Sequence, residues 1–245
     1  MLLVKICYNN TGDFMRLDKL LANLKYGSRN DIKKYCKQKL ITVNGDVVKN
    51  SDINVDPNKD IITFDGKTIF YKESITLAMN KPAGYICSTI DEAYPSLLRL
   101  LDEKYARFDF AFAGRLDVDT EGLVVISTDG DIIHKIANPN QDMYKTYYVK
   151  TEKVIKNEGK LEAPITLLDG KNNPYTTKGA IISKISDFEL LVSISEGKFH
   201  QVKRMLEFID NKVIYLKRIQ IGNLKLPSDL ELGEFMEIDP NSIFA

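Results

Sequence analysis

Four charged side chains, Arg115, Asp117, Asp119 and Glu121, occupy alternate positions between Gly114 and Gly122. Carboxylates at that spacing suit several chemistries. They match part of a calcium loop, but the remaining oxygen ligands and a closing glutamate at position 12 are missing. They could serve a magnesium site for phosphoryl transfer, which wants a phosphate-cradling glycine-rich loop that this chain lacks. One carboxylate, close to Arg115 and a second cation, could be held ionised as a base or nucleophile. Acids on an exposed loop with no chemistry are the fourth reading, and spacing alone leaves all four open.

A loop acts only as well as its mounting allows. After Gly122 the run Leu123 to Ile126 is fully apolar and predicts a buried strand. Ile75 to Met79 predicts another, stopped by Asn80-Lys81-Pro82-Ala83-Gly84, and Leu97 to Leu101 a short helix. A helix over Ile132 to Ala137 follows Asp129-Gly130. Strand patterns recur over 145–150, 180–185, 189–195, 213–221 and 234–238. Gln201 to Ile209 predicts a helix with Val202, Met205, Leu206 and Ile209 on one side. Strands outnumber helices without βαβ alternation, so residues 75–245 are expected to form an α+β domain on a mixed, largely antiparallel sheet.

The N-terminal part reads differently. Leu17, Leu20, Leu21 and Leu24 recur at helical spacing, and Gly27 is a natural stop. Ser28 offers an N-cap oxygen, with Asp31 in the first turn of a second helix from about Arg29 to Lys39. Its apolar face is Ile32, Tyr35 and Cys36, which leaves Arg29, Lys33, Lys34 and Lys37 outside. Ile41 to Val43, Asn44-Gly45 and Val47-Val48 predict a hairpin, and Ile61 to Phe64 a further strand. Residues 15–72 thus read as helices on a small sheet, with a linker near 72–74. Residues 1–14 form an extension without an assigned role.

Composition bounds the function. The 245 residues are 44% hydrophobic and 28% charged, an ordinary globular balance. The formal net charge of zero hides a polarity: residues 15–72 carry +5 and residues 73–245 carry −5. A basic module on a neutral chain points to a polyanion partner. Cys7, Cys36 and Cys87 fit neither a zinc pair nor a redox pair, and two histidines are too few for a histidine-rich metal site. No apolar run is long enough to span a membrane, and the start is too polar for a secretory signal, so the cytoplasm is expected.

Two resemblances sharpen these expectations. Met15-Arg16-Leu17-Asp18-Lys19, Ser28-Arg29 and Ile41-Thr42-Val43-Asn44-Gly45 resemble the S4 domain, a small RNA-binding fold. Gly114-Arg115-Leu116-Asp117-Val118-Asp119-Thr120-Glu121-Gly122-Leu123 resembles the signature of the pseudouridine synthases. Leu77 to Gly84 with Cys87-Ser88-Thr89, Lys145-Thr146-Tyr147-Tyr148-Val149, and Glu196 to Met205 fall in the order required by the branch that carries an S4 domain and modifies ribosomal RNA.

The resemblance implies conversion of uridine to pseudouridine, with Asp117 as the essential aspartate and Tyr147 as the active-site tyrosine. Lys203 is the implied basic partner of the aspartate; its neighbour Arg204 points about 100° away on a helix. Arg16, Lys19, Arg29, Lys33, Lys34, Lys37, Arg115 and Arg204 are the implied RNA contacts, and His200 is read as structural. No cofactor and no metal are implied. The implied partner is ribosomal RNA or a subunit assembly intermediate, met by a monomer away from membranes. Small-subunit 16S RNA is the expected target. A 23S-directed enzyme, a non-catalytic assembly factor and a metal-dependent nuclease or phosphatase are the alternatives.

Overall fold

The computed structural model describes residues 14–138 and 141–244 and divides into two compact units, 14–73 with 104–108, and 74–103 with 109–244. Cys7 and all of the N-terminal extension except Phe14 lie outside the described residues.

In the first unit β1 (Met15–Arg16) leads straight into α1 (Leu17–Asn23), followed by α2 (Arg29–Lys37). The start of α2 is fixed locally. Ser28 Oγ accepts from Asp31 N at 3.2 Å, and Asp31 Oδ2 accepts from Ser28 N at 3.1 Å, a reciprocal cap that satisfies two otherwise orphaned amides. Then come β2 (Ile41–Val43), β3 (Asp46–Val47), β4 (Asn54–Val55), β5 (Ile62–Phe64) and β6 (Lys67–Thr68). Strands β3-β2-β5-β6 form one antiparallel sheet, while β4 pairs with β1. Leu17, Leu20, Leu21 and Ile32 from the helices pack on Ile41, Val55 and Ile62. Both helices are shorter than their apolar patterns suggest, because residues 15–16 pair as a strand and the chain leaves α2 at Gln38. Segment 104–108, expected with the catalytic part, belongs to this unit: Arg107 lies 4.0 Å over the Tyr26 ring, and Tyr105 meets Phe70 edge-on. Its neighbours in sequence belong to the other unit, so no local pattern discloses this.

The second unit contains β7 (Thr76–Lys81), β8 (Ala111–Phe112), β9 (Glu121–Ser127), α3 (Gly130–Ala137), β10 (Lys145–Thr151), β11 (Thr166–Leu168) and β12 (Pro174–Thr176). It continues with β13 (Ile181–Lys184), β14 (Glu189–Ile194), α4 (Gln201–Phe208), β15 (Val213–Ile221), β16 (Leu224–Lys225) and β17 (Phe235–Glu237). The main sheet runs β13-β14-β10-β15-β9-β7-β17, with β16 beside β15 and β8 beside β9. Among the described strands of this sheet only the β15–β9 pair is parallel, so the fold is α+β on a mixed, largely antiparallel sheet. The apolar run of β9 is buried throughout from Gly122 to Ser127, as a strand covered on both faces requires. The β11–β12 hairpin carries no alternating pattern and was not expected from sequence; its turn is held by Asp169, whose Oδ1 accepts from Lys171 N and Asn173 N.

The parallel pair is close at one point. Gly122 has φ +105°, and a Cβ there would lie 2.2 Å from Arg218 O. Backbone conformation and contact thus both demand glycine. Gly122→Ala should cost on the order of 3 kcal/mol or more and lower the thermal midpoint by several degrees, measurable by calorimetry. An unchanged midpoint would mean the strands are not held this close.

Candidate active site

Loop 114–121 is held from two sides. Lys81, at the end of β7, is fully buried, and its ammonium donates to Thr120 O at 2.8 Å, Pro82 O at 3.0 Å and Val118 O at 3.4 Å. Burial lowers its pKa from the ordinary lysine value, opposed by nearby acidic groups that include Asp119 and Asp117. Gly84 N adds a bond to Val118 O at 2.8 Å. From β15, Arg218 is 1% exposed and donates Nε to Leu123 O at 2.8 Å and Nη1 to Arg115 O at 3.5 Å. The carbonyls of Arg115, Val118 and Thr120 are therefore held by buried cations, while Leu116 and Thr120 bury their side chains and Arg115 and Asp119 stay exposed.

Lys203 meets that loop from α4. Gln201, Val202, Met205 and Leu206 are buried on the opposite stripe, and helical spacing turns Lys203 away from them. Its Nζ lies 3.2 Å from Asp117 Oδ2, and 2.7 and 2.9 Å from the two oxygens of Asp119. The ammonium expected to serve Asp117 is thus shared, with its shorter contacts to Asp119. Burial would raise the Asp119 carboxyl, but the hydrogen bond and charge of Lys203 outweigh it and hold the group below its usual range. Burial would likewise lower Lys203, and the two carboxylates overcome it and raise the ammonium. The mutual effect favours the charged forms of Lys203 and Asp119.

His200, read from sequence as structural, has Nε2 3.5 Å from Asp117 Oδ2. It sits at the N-cap of α4 with φ 53°, a left-handed conformation uncommon outside glycine, and its ring stacks on Phe199 with centroids 3.7 Å apart. Arg204 turns elsewhere: its guanidinium lies over the Phe199 ring at 5.4 Å. The angular separation of adjacent helical residues divides the two cations between different neighbours.

Tyr147, 7% exposed, stands on β10 where the register against β15 shifts between Thr146 and Tyr147. Such irregularities re-aim a side chain. Tyr147 lines an inner slot of about 70 Å³ with Asp117, Lys203, Arg115 and the apolar Leu116, Ile194, Val202 and Leu216. Outside it lies a wider cleft of about 740 Å³ that shares Arg115, Asp117, His200 and Lys203. Four sequence-nominated residues, Arg115, Asp117, Tyr147 and Lys203, thus line one cavity. Glu121 is not part of an acidic cluster; it accepts the Tyr215 hydroxyl at 2.6 Å, and burial together with Glu121 raises that phenol's pKa. Asp117 and Asp119 share Lys203, so of the loop's three acids Glu121 has a partner of its own.

The nominated RNA contacts of the first unit are exposed but not equivalent. Arg29, Lys33 and Lys37 fan over the outer face of α2, and Lys19 is exposed on α1. Lys34 pairs with Asp31 at 3.0 Å. Arg16 is forked onto Asp18 at 2.7 and 3.1 Å, so its guanidinium is already engaged. Sequence reasoning read His200 as structural and gave no role to Lys81, Lys145 or Arg218; a basic pair inside the largely apolar run 213–221 was the available signal for Arg218.

Residues 75–208 match the RNA pseudouridylate synthase family, and residues 15–61 match the S4 domain. The chain belongs to the RNA pseudouridine synthase family. It is 37% identical over 230 residues to an uncharacterised RNA pseudouridine synthase of Bacillus subtilis, covering 91% of this chain and 95% of that one. It is 35% identical over 230 residues to ribosomal small subunit pseudouridine synthase A of Escherichia coli, covering 94% and 98%. A crystal structure of a pseudouridylate synthase superposes with TM-score 0.64 at 33% identity, covering 94% and 98%. The chain is therefore a pseudouridine synthase, an isomerase acting on RNA, with an N-terminal S4 domain. Among the described residues no helix is long and apolar enough to cross a membrane.

The shared ammonium has a measurable signature. In wild type the Asp119 carboxyl carbon should titrate below the usual aspartate range, and in Lys203→Met it should move up toward that range. Carbon-13 NMR across pH 2 to 6 reads the change. Equal titration in both proteins would mean that Lys203 does not hold Asp119.

Proposed function

We propose that this synthase isomerises a uridine of ribosomal RNA, in the small subunit, with Asp117 as the reacting carboxylate. The observation that carries the reading is the Lys203–Asp117 contact at 3.2 Å at the mouth of a slot lined by Tyr147. Isomerisation breaks the N1–C1′ bond, turns the uracil and rejoins it through C5. An ionised carboxylate suits this either by adding to the nucleoside or by assisting an unsaturated sugar intermediate. Either route needs the oxygen within about 3 Å of the reacting atom.

The remaining roles follow from position. Lys203 keeps Asp117 anionic through a charge-assisted hydrogen bond. Tyr147 supplies a ring face for the detached base, and its hydroxyl can assist a proton transfer. A paired uridine offers no such approach, so the nucleotide leaves its stack at a cost of a few kcal/mol, lower in loops and distorted RNA. Arg115, exposed at the entrance, is placed to meet a backbone phosphate or to fill the space the base vacates. Residues 15–72 act as the RNA-holding unit and 75–245 as the catalytic one, in a cytoplasmic monomer needing no cofactor. The small-subunit target rests on the relatives named small subunit synthases, and the substrate is the RNA or a subunit assembly intermediate.

Two outcomes test this. Asp117→Asn removes the charge at constant size, so pseudouridine formation in small-subunit RNA should fall below detection by carbodiimide mapping while RNA affinity persists. Turnover by that variant would reassign the carboxylate. Replacing Arg29, Lys33 and Lys37 together by Gln should lower the slope of log affinity against log salt by about 2 if each neutralises one phosphate. An unchanged slope would remove α2 from the RNA interface.

A further inference from the structure

A second cavity, of about 300 Å³, adjoins the inner slot and shares Arg115, Tyr147 and Lys198 with it. Its charged lining is Arg115, Lys145, Lys178, Lys198 and Arg218 against the single acid Glu196. That acid is already bonded, its Oε1 accepting from Lys178 N at 3.0 Å and Gln201 Nε2 at 2.5 Å. Lys178 is paired with Asp142 at 2.6 Å.

Two of the cations are buried. Lys145 is 7% exposed and donates to Met143 O at 3.2 Å, a neutral acceptor. Arg218 is 1% exposed, both its hydrogen bonds go to carbonyls, and its Nη2 is buried with no hydrogen-bond partner among the described residues. Burying two like charges side by side is unfavourable unless an anion joins them. Burial and the Arg218 charge together push the Lys145 ammonium down to about 8. The loop anchoring done by Arg218 needs only its Nε and Nη1, which leaves the second cation, Lys145, without a structural role that requires charge.

We propose that this cavity is a phosphate subsite, holding a phosphodiester that flanks the extruded uridine, with Lys145 and Arg218 as its buried cations. The proposal rests on the reading of the adjoining slot as the uridine site. Because slot and cavity share Arg115 and Tyr147, a base against Tyr147 places its own backbone beside Lys145. The subsite would hold the ribose while the glycosidic bond is broken, the moment at which base and sugar are no longer joined.

The experiment titrates the full-length protein, at fixed ionic strength, with uridine, uridine 3′-monophosphate, uridine 5′-monophosphate and inorganic phosphate. The set is repeated with Lys145→Gln, Lys145→Arg and Arg218→Lys. One monophosphate should bind wild type about tenfold or more tighter than uridine, the gain expected of a charge-assisted contact. Inorganic phosphate should compete with that monophosphate and not with uridine. Lys145→Gln should abolish the advantage and leave uridine binding within about threefold, while Lys145→Arg retains it. Arg218→Lys, which keeps a charge in the strand, should reduce the advantage.

Equal binding of uridine and both monophosphates to wild type overturns the proposal without recourse to any variant. So does an advantage that survives in Lys145→Gln. Binding of inorganic phosphate with no monophosphate advantage overturns it in favour of a free-anion site. Wild-type conversion of RNA, measured in parallel, separates the failures: conversion without a monophosphate advantage removes the subsite alone, and no conversion removes the reading beneath it.

Discussion

A carboxylate can work on a nucleoside only if it stays ionised while partly withdrawn from water. In this chain one ammonium stands beside two acids: Lys203 lies 3.2 Å from Asp117 and 2.7 Å from Asp119. The residue separations are 86 and 84, so the contact exists only when α4 and loop 114–121 are both in place. Asp119 does more than crowd the site. It takes the shorter contacts of the lysine, while Asp117, whose side chain is 31% exposed, lines both the slot and the cleft.

The sheet supplies the fixity that the ion pair lacks. Lys81 and Arg218 are among the largest fully buried side chains, and each donates to backbone carbonyls of the loop or the strand it enters. Buried charges are costly to desolvate, so the fold gives up stability to set the loop's path. The parallel approach of β15 to β9 at Gly122 is part of the same device, since it delivers Arg218 to Leu123 O. The first unit has its own core and the opposite net charge, consistent with electrostatic holding in one part and shape in the other.

What the sequence disclosed, and what it withheld, divides along contact distance. The α2 cap was legible because Ser28 and Asp31 interact within one turn. Strand β9 was legible because six buried positions leave an apolar signature. The S4 and synthase likenesses were legible because each rests on ordered short motifs. The parts that stayed hidden depend on long-range partners: His200 beside Asp117, Lys81 beneath the loop, segment 104–108 against Tyr26. Glu121 illustrates the difference. Its alternate spacing with Asp117 and Asp119 suggested a shared site, yet the Tyr215 hydroxyl, 94 residues away, gives it a separate partner.

The central claim is spatial: the Asp117 carboxylate faces the sugar of an extruded uridine whose base rests on Tyr147. The most direct measurement is a crystal structure of an inactive Asp117→Asn form bound to a short uridine-bearing RNA from the small subunit. The account predicts one unstacked uridine in the slot, its ring on Tyr147 and its C1′ or C6 within about 4 Å of the residue-117 side chain. A bound RNA whose nucleotides all remain stacked outside the cleft, or whose extruded base lies away from residue 117, would contradict it.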